Sequence, residues 1–486
     1  MPTPTSTPVV ESVSVVLRRQ VPVRWGEPPG SWIGGLPMMP ASVEWPLGST
    51  IDYPARGRTP LHFVAQIACA DLPPDLWGGY GPRAGWLILF INAQENGVDE
   101  GSETIRVLHI AELGSERVPP PGIRPVRDET YTGADYVFVR SQAEVPTTWR
   151  RWPVDLVTIP NRVVRRDCNP HIIPEKFASI LYDGAPATDG YAEPPAAAPF
   201  SWRGALYVVD SIARVLAKKH TGPGATPLLK DVRLREQLAS PGFIAGAIDR
   251  TDAGIARWLA AYREEIPPWV LERLEPLRAT RQLLAECADE AALIGRIEQS
   301  HRDYAAWRDG APPRVAALRR RILAHALDTP IAPEDWDALR AVLQADRQLY
   351  WFPRDDGGKG LLPMPIDQSL LDYAERGLRA AQVQLAADYY VSRDLRHLVP
   401  DALVAFMEPH WRGLDSNRPH RMGGIYDAIQ SDPREGPTLQ VLLFQITTDY
   451  AMHWVFGDCG AYYVFIDTDR LAVNDFSKLE SDFENY

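Results

Sequence analysis

One short order of features occurs twice in this chain, near its two ends, and it restricts the fold more than anything else in the sequence. In the first occurrence Gly34-Gly35 precedes the apolar run Phe63-Val64-Ala65-Gln66-Ile67. A glycine then opens a second run, Gly85-Trp86-Leu87-Ile88-Leu89-Phe90-Ile91. In the second, Gly423-Gly424 precedes Leu442-Leu443-Phe444-Gln445-Ile446, and Gly460 opens Ala461-Tyr462-Tyr463-Val464-Phe465-Ile466. Short runs rich in β-branched and aromatic residues, bounded by glycine or proline, read as strands. A lone strand pair exposes one apolar face and is marginal in water. Two copies of the pair therefore predict one body about a pseudo-twofold axis, built as a single continuous sheet or as two facing sheets, with each half supplying apolar surface to the other.

Between the copies the period changes. From about residue 222 to 350 apolar residues recur every three or four positions: Leu283, Cys287, Ala291, Ile294, Ile297; Val315, Leu318, Ile322; Trp336, Leu339, Leu343. This is the stripe of amphipathic helices, and it predicts a helical insertion without strands. Pro333 suits a first helical position, and Glu334 and Asp335 suit the positive helix end. The organisation read from the sequence is thus a first half over 12–221, a helical insertion over 222–350, and a second half over 351–486. The fold class is α+β. Further strands are expected at Val13–Leu17, Ile105–Ile110 and Tyr136–Val139, with a helix over Ala205–Lys218. A second helix runs to about Val391, capped by Ser369 with Asp372 three residues on.

The blocks that carry the repeat also resemble the YwqG-like family of bacterial proteins. In the first half these are Gly34-Gly35-Leu36-Pro37, Val43-Glu44-Trp45-Pro46, and Pro60 through Ile67 with Leu72-Pro73. In the second half they are His420-Arg421-Met422-Gly423-Gly424, Ile429-Gln430-Ser431-Asp432-Pro433, Trp454 through Ile466, and Asp475-Phe476-Ser477. The resemblance implies a duplicated α+β domain and brings no established catalytic residue. Some members lie near secreted-toxin genes, which suggests an immunity or partner-binding role. The long middle segment departs from the family pattern.

Charge narrows the partners. With 51 Lys and Arg against 63 Asp and Glu, the formal net charge is -12. A phosphate-neutralising surface is basic, so neither nucleic acid nor an anionic membrane is expected. The four cysteines, Cys69, Cys168, Cys287 and Cys459, stand far apart without a CxxC pair. That pattern fits free thiols in a reducing, cytoplasmic setting and predicts neither a structural metal nor a cofactor. Phosphate-loop, G-x-S-x-G and H-E-x-x-H signatures do not occur.

The remaining candidates are binding residues. Gln66 and Gln445 are amides inside apolar strands, where each must satisfy donors and acceptors. Each either ties its strand to a neighbouring loop or, with its counterpart, faces a shared cleft. Asp458 stands in the turn Gly457-Asp458-Cys459-Gly460. It serves that turn or anchors a ligand beside Trp454. His420 and Gln430 flank the second Gly-Gly and complete the set. Cys459 with His453 lacks any sequence sign of the lowered pKa and oriented base that a thiol nucleophile requires. The expectation is a protein-binding module of immunity or regulatory type. The alternative is an enzyme or small-molecule binder with a cleft between the repeats.

Overall fold

The structure is a computed structural model, and it describes residues 11–27, 30–50, 57–93, 103–126, 146–160, 198–217, 232–355, 360–413, 418–430 and 439–485. It divides into two compact units. One comprises Met1–Phe200 with Arg379–Tyr486, the other Ser201–Leu378.

In chain order the strands in the amino-terminal half of the first unit are β1 (Val13–Arg19), β2 (Ser31–Ile33), β3 (Met38–Met39), β4 (Leu47–Thr50), β5 (Gly57–Pro60), β6 (His62–Ala68), β7 (Trp86–Ile91), β8 (Ile105–Ile110), β9 (Ser115–Glu116) and β10 (Trp152–Pro160). The second unit holds β11 (Arg347–Asp355) and β12 (Leu361–Ser369). The first unit resumes with β13 (Arg421–Met422), β14 (Gln440–Thr447), β15 (Ala461–Asp467) and β16 (Glu480–Glu484).

Ten of these strands make one antiparallel sheet in the order β16-β15-β14-β13-β1-β10-β2-β6-β7-β8. The order is a palindrome of the repeat. β2, β6, β7 and β8 run outward on one side as β13, β14, β15 and β16 do on the other, and β1 pairs with β10 at the centre. The register agrees in detail. Trp32 faces Gln66 as Arg421 faces Gln445, so each glutamine occupies the same site in its half. The ladder slips between Phe63 and Ala65 against β7 and between Leu442 and Phe444 against β15, ending each time at the residue before the glutamine. A shared bulge position is a constructed feature of a strand, not noise.

The two glycine pairs explain how the halves lock. Gly34, Gly35, Gly423 and Gly424 all have positive φ, which favours glycine. A side chain at Gly34 would strike the Arg150 carbonyl and the Met452 methyl. One at Gly423 would strike Leu76. Met452 belongs to the second half and Leu76 to the first, so each half seats a side chain on the other's glycine turn. Trp77 completes the exchange by donating its indole N–H to the Leu442 carbonyl at 2.9 Å. Of the two arrangements expected, a single continuous sheet or two facing sheets, the structure has the single sheet. Segment Tyr136–Val139 lies outside the described residues.

The second unit is mainly helical, as the spacing predicts. One core joins Trp202, Val208 and Ile212 of helix Trp202–Ala217 to Val315, Ile322, Trp336 and Leu339. Another joins Leu238, Leu283, Leu293 and Ile297 to Leu362. Helix Glu290–Asp309 is capped by Asp289, whose carboxylate accepts the Ala292 N–H at 2.7 Å. Pro333 and the acidic pair Glu334 and Asp335 do start helix Pro333–Ala345. Ser369 and Asp372 exchange hydrogen bonds around a 3-10 turn ahead of helix Glu375–Tyr390.

Two features differ from the sequence reading. The helical unit extends to Ser201 and Leu378, beyond 222–350. It also carries the ribbon β11–β12, which starts at Arg347 and includes Pro353, Pro363 and Pro365. Proline argues against a central strand, but a two-stranded ribbon has only edges, where a missing N–H costs nothing in the ladder.

Candidate functional site

A cleft of about 520 Å³ opens in the first unit beside the centre of the sheet. One wall is β10, through Val154, Asp155 and Leu156. β2 contributes Ser31 and Trp32, and Gln20, Val23, Arg24, Trp25, Glu27 and Gly30, from the segment joining β1 to β2, form the rim. That segment is anchored where it leaves β1. The Gln20 N–H donates to the Pro153 carbonyl at 2.9 Å, and Trp152 donates its indole N–H to the Gln20 carbonyl at 3.0 Å. The Gln20 side-chain oxygen in turn accepts the Arg24 N–H at 3.3 Å, which helps to place Arg24 and Trp25 in the lining.

The cleft is aromatic and charged. Trp32 is buried, whereas Trp25 is 37% exposed. The Arg151 guanidinium stacks over Trp32, 4.2 Å from the ring centroid, and pairs with Glu116 at 2.7 Å. A cation over an indole face is attracted by the ring quadrupole. Burial pulls Arg151 below the usual arginine range, opposed by the Glu116 charge. Asp155 receives Arg18 at 2.9 Å, the Gln20 amide at 3.2 Å and Arg24. Burial alone would raise its pKa. The hydrogen bonds and charges of Arg24 and Arg18 outweigh that and hold Asp155 below the usual carboxylate range. It is therefore a fixed anion at neutral pH and a poor general acid. The Ser31 hydroxyl accepts the Ala68 N–H at 2.9 Å, which ties β2 to the end of β6.

A second polar group lies deep in the same unit. Arg19, at the end of β1, donates to Asp449 and to the carbonyls of Trp411 and Gly413. Asp449 also accepts the N–H groups of Ala451 (3.0 Å) and Met452 (3.3 Å), and His420 lies against it at 3.0 Å. The His420 Nδ1 accepts the Thr447 N–H at 3.1 Å. That fixes the tautomer, so Nε2–H donates to Asp449. The imidazole has no lone pair to offer a substrate. His420 and Asp449 are fully buried and Arg19 is 5% exposed, so the trio ties elements together and offers no general base.

The residues singled out from the sequence fall into three places. Gln66 is fully buried and exchanges both amide bonds with Met38, at 2.8 and 3.1 Å. Gln445 is fully buried. It accepts the Asp427 N–H at 2.8 Å and donates to the Pro419 carbonyl and the Asp427 carboxylate, each at 2.9 Å. Met38 and Asp427 each stand four residues after the first glycine of their pair. The two amides thus do equivalent work, tying strand to loop. The structure brings His420 and Trp454 together, with ring centroids 5.1 Å apart, in the core. The Trp454 indole N–H has no hydrogen-bond partner among the described residues. Asp458 is exposed in a turn between Gly457 and Cys459, both at positive φ. Gln430 is also exposed, and its N–H donates to Glu484 at 3.0 Å. None of the six lines the cleft. The cleft residues escaped sequence reading because they come from four separated segments without a motif. The one available signal was the dense run Val21 to Gly30, which holds Arg24, Trp25 and Glu27 together. The Cys459 thiol lies 3.3 Å from the Tyr450 hydroxyl. Among the described residues no group of three or more His, Cys, Asp or Glu is placed to hold a metal ion. No described helix is long and apolar enough to cross a membrane.

The fold and cleft define a duplicated antiparallel-sheet protein carrying a helical insertion. The chain belongs to the family described as Domain of unknown function (DUF1963), whose model matches residues 31–167 and 364–482. The match is split around the insertion, as the repeat is. β1 lies outside it although it is a central strand. No curated protein matches the chain.

Proposed function

We propose that this chain is a non-catalytic binding module that recognises another protein through the cleft bounded by Trp25, Trp32, Arg151 and Asp155. The carrying observation is the composition of that cleft: a partly exposed tryptophan at the rim, a second tryptophan under a stacked arginine, and an aspartate held ionised. Tryptophan and arginine are the residues that anchor protein interfaces. The formal charge of -12 favours a basic partner, whose approach it would steer. The YwqG-like resemblance, with its toxin-gene neighbourhood, extends the reading to an immunity-type or regulatory partner in a bacterial cytoplasm. A second reading has its own support. A volume of about 520 Å³ falls in the range of small-molecule sites, so a small-molecule binder or enzyme with the same cleft is the rival.

The test is purification of the tagged chain from its own cells, with mass spectrometry of both the proteins and the metabolites that accompany it. Wild type is compared with Trp25→Ala. The protein-binding reading expects a stoichiometric protein that the variant loses. A stoichiometric metabolite lost by the variant establishes the rival. A protein retained equally by both chains moves the interface away from the cleft.

A further inference from the structure

We propose that the cleft receives the guanidinium of an arginine side chain from the partner, held between Trp25 and Asp71. This deepens the binding reading above and rests on it.

The argument is one of charge matching. Three arginines and three carboxylates around the cleft already satisfy one another. Arg18 and Arg24 hold Asp155, Arg24 also holds Glu27 at 2.5 Å, and Arg151 holds Glu116. Arg151 has moreover spent a guanidinium face on Trp32. The lining carboxylate left over is Asp71, just past the end of β6. It is exposed and makes no hydrogen bond or ion pair among the described residues. Its backbone position is fixed by the 3-10 turn Cys69–Asp71, in which the following Leu72 N–H donates to the Cys69 carbonyl at 3.3 Å. Gly30, on the rim, has no side chain to screen it. A Cβ placed there would come within 3.9 Å of the Asp71 carboxylate. Among the described lining residues, one carboxylate and one exposed indole are therefore left without a partner.

That pair selects a cation with an extended flat face. A guanidinium can lie on the Trp25 ring while its N–H fork meets Asp71 in a bidentate manner. The stack of Arg151 on Trp32 is the same arrangement in miniature, within the same cleft. An ammonium is a strongly hydrated point charge without the fork, so lysine fits less well. An anionic ligand would have to displace Glu27 or Asp155 from its arginines.

The experiment uses the full chain and three capped tripeptides: acetyl-Gly-Arg-Gly-amide, its lysine counterpart, and its citrulline counterpart, which keeps the shape and lacks the charge. Binding is followed by saturation-transfer NMR and titrated to a dissociation constant. The arginine peptide is expected to bind at least ten-fold more tightly than the citrulline peptide. Asp71→Asn is expected to remove at least ten-fold of that affinity, whereas Asp458→Asn, an exposed carboxylate elsewhere, leaves it unchanged. Unaltered thermal melting of both variants shows that folding is not the cause. Equal binding of arginine and citrulline, or indifference to Asp71→Asn, overturns the proposal. Equal or tighter binding of lysine overturns the guanidinium assignment. Should the native partner be lost by Trp25→Ala but kept by Asp71→Asn, the cleft reading survives and the arginine inference falls.

Discussion

His62 shows how completely a side chain in this sheet can be committed. It is fully buried; its Nε2–H donates to the Arg124 carbonyl at 2.8 Å, and its Nδ1 accepts the Ala93 N–H at 3.2 Å. Burial dominates and pushes its pKa down to about 4, although hydrogen bonds to the backbone resist. The folded state thus takes up this proton later than the unfolded chain, whose histidine titrates near 6.5. Stability from this residue is present above about 6.5 and is lost as pH falls toward 4. Urea midpoints should show about 2 kcal/mol of stability disappearing between pH 7 and pH 5, and His62→Gln should remove most of that slope. An unchanged slope in the variant would assign the effect elsewhere. Asp449 has the opposite chemistry. Burial works to raise its pKa, but the Arg19 charge, His420 and the Met452 N–H prevail and keep it low. Asp449→Asn leaves Arg19 buried without its counter-ion, so calorimetry should register a loss of about 3–5 kcal/mol at pH 7.

At the level of elements, the glutamine strands and their glycine turns work as units. Replacing Gln66 by Leu strands both backbone groups of Met38, at an expected cost of about 1–3 kcal/mol. Gln445→Leu should cost a similar amount for the same reason, and denaturant titration of the two variants checks this equivalence. Gly34→Ala and Gly423→Ala combine a positive φ with a blocked Cβ site. Both should lower the melting temperature far more than Gly26→Ala, whose Cβ would meet nothing. The sequence made these elements readable because the glutamines and glycines interrupt otherwise apolar runs. It hid β10, since a strand beginning Trp152-Pro153 and ending at Pro160 looks like a connector. It hid β11 and β12 for the same reason, as prolines suppress a strand signal even where the ribbon tolerates them. The cleft was hidden differently. Asp71, Arg151 and Asp155 become neighbours only once β2, β6 and β10 have assembled, and no local pattern anticipates that.

For the whole first unit, the palindromic sheet makes a strong demand on folding. Residues 1–200 alone would expose the β1 edge and would lack Asp449 for Arg19 and Met452 beside Gly34. That fragment should give poorly dispersed amide spectra. Addition of 379–486 should restore native dispersion, because the second fragment supplies β13 beside β1, Asp449 for Arg19 and Met452 beside Gly34. A well-dispersed, monomeric 1–200 would show that the halves fold independently.

The same symmetry says something about where this chain can be lengthened. Because β1 of the first half pairs with β13 of the second, the two halves meet edge to edge in one sheet, as the protomers of a fused dimer do. The peptide linking them is then a tether, comparable to the connection an engineer adds between two subunits already held by their interface. Lengthening a tether costs little, since closure entropy grows only logarithmically, roughly 0.6 kcal/mol per doubling. A passenger the size of Ser201–Leu378 is tolerated at this joint, whereas the same insertion between β6 and β7 would fall in the loop that seats Leu76 and Trp77 against Gly423 and Leu442 of the other half.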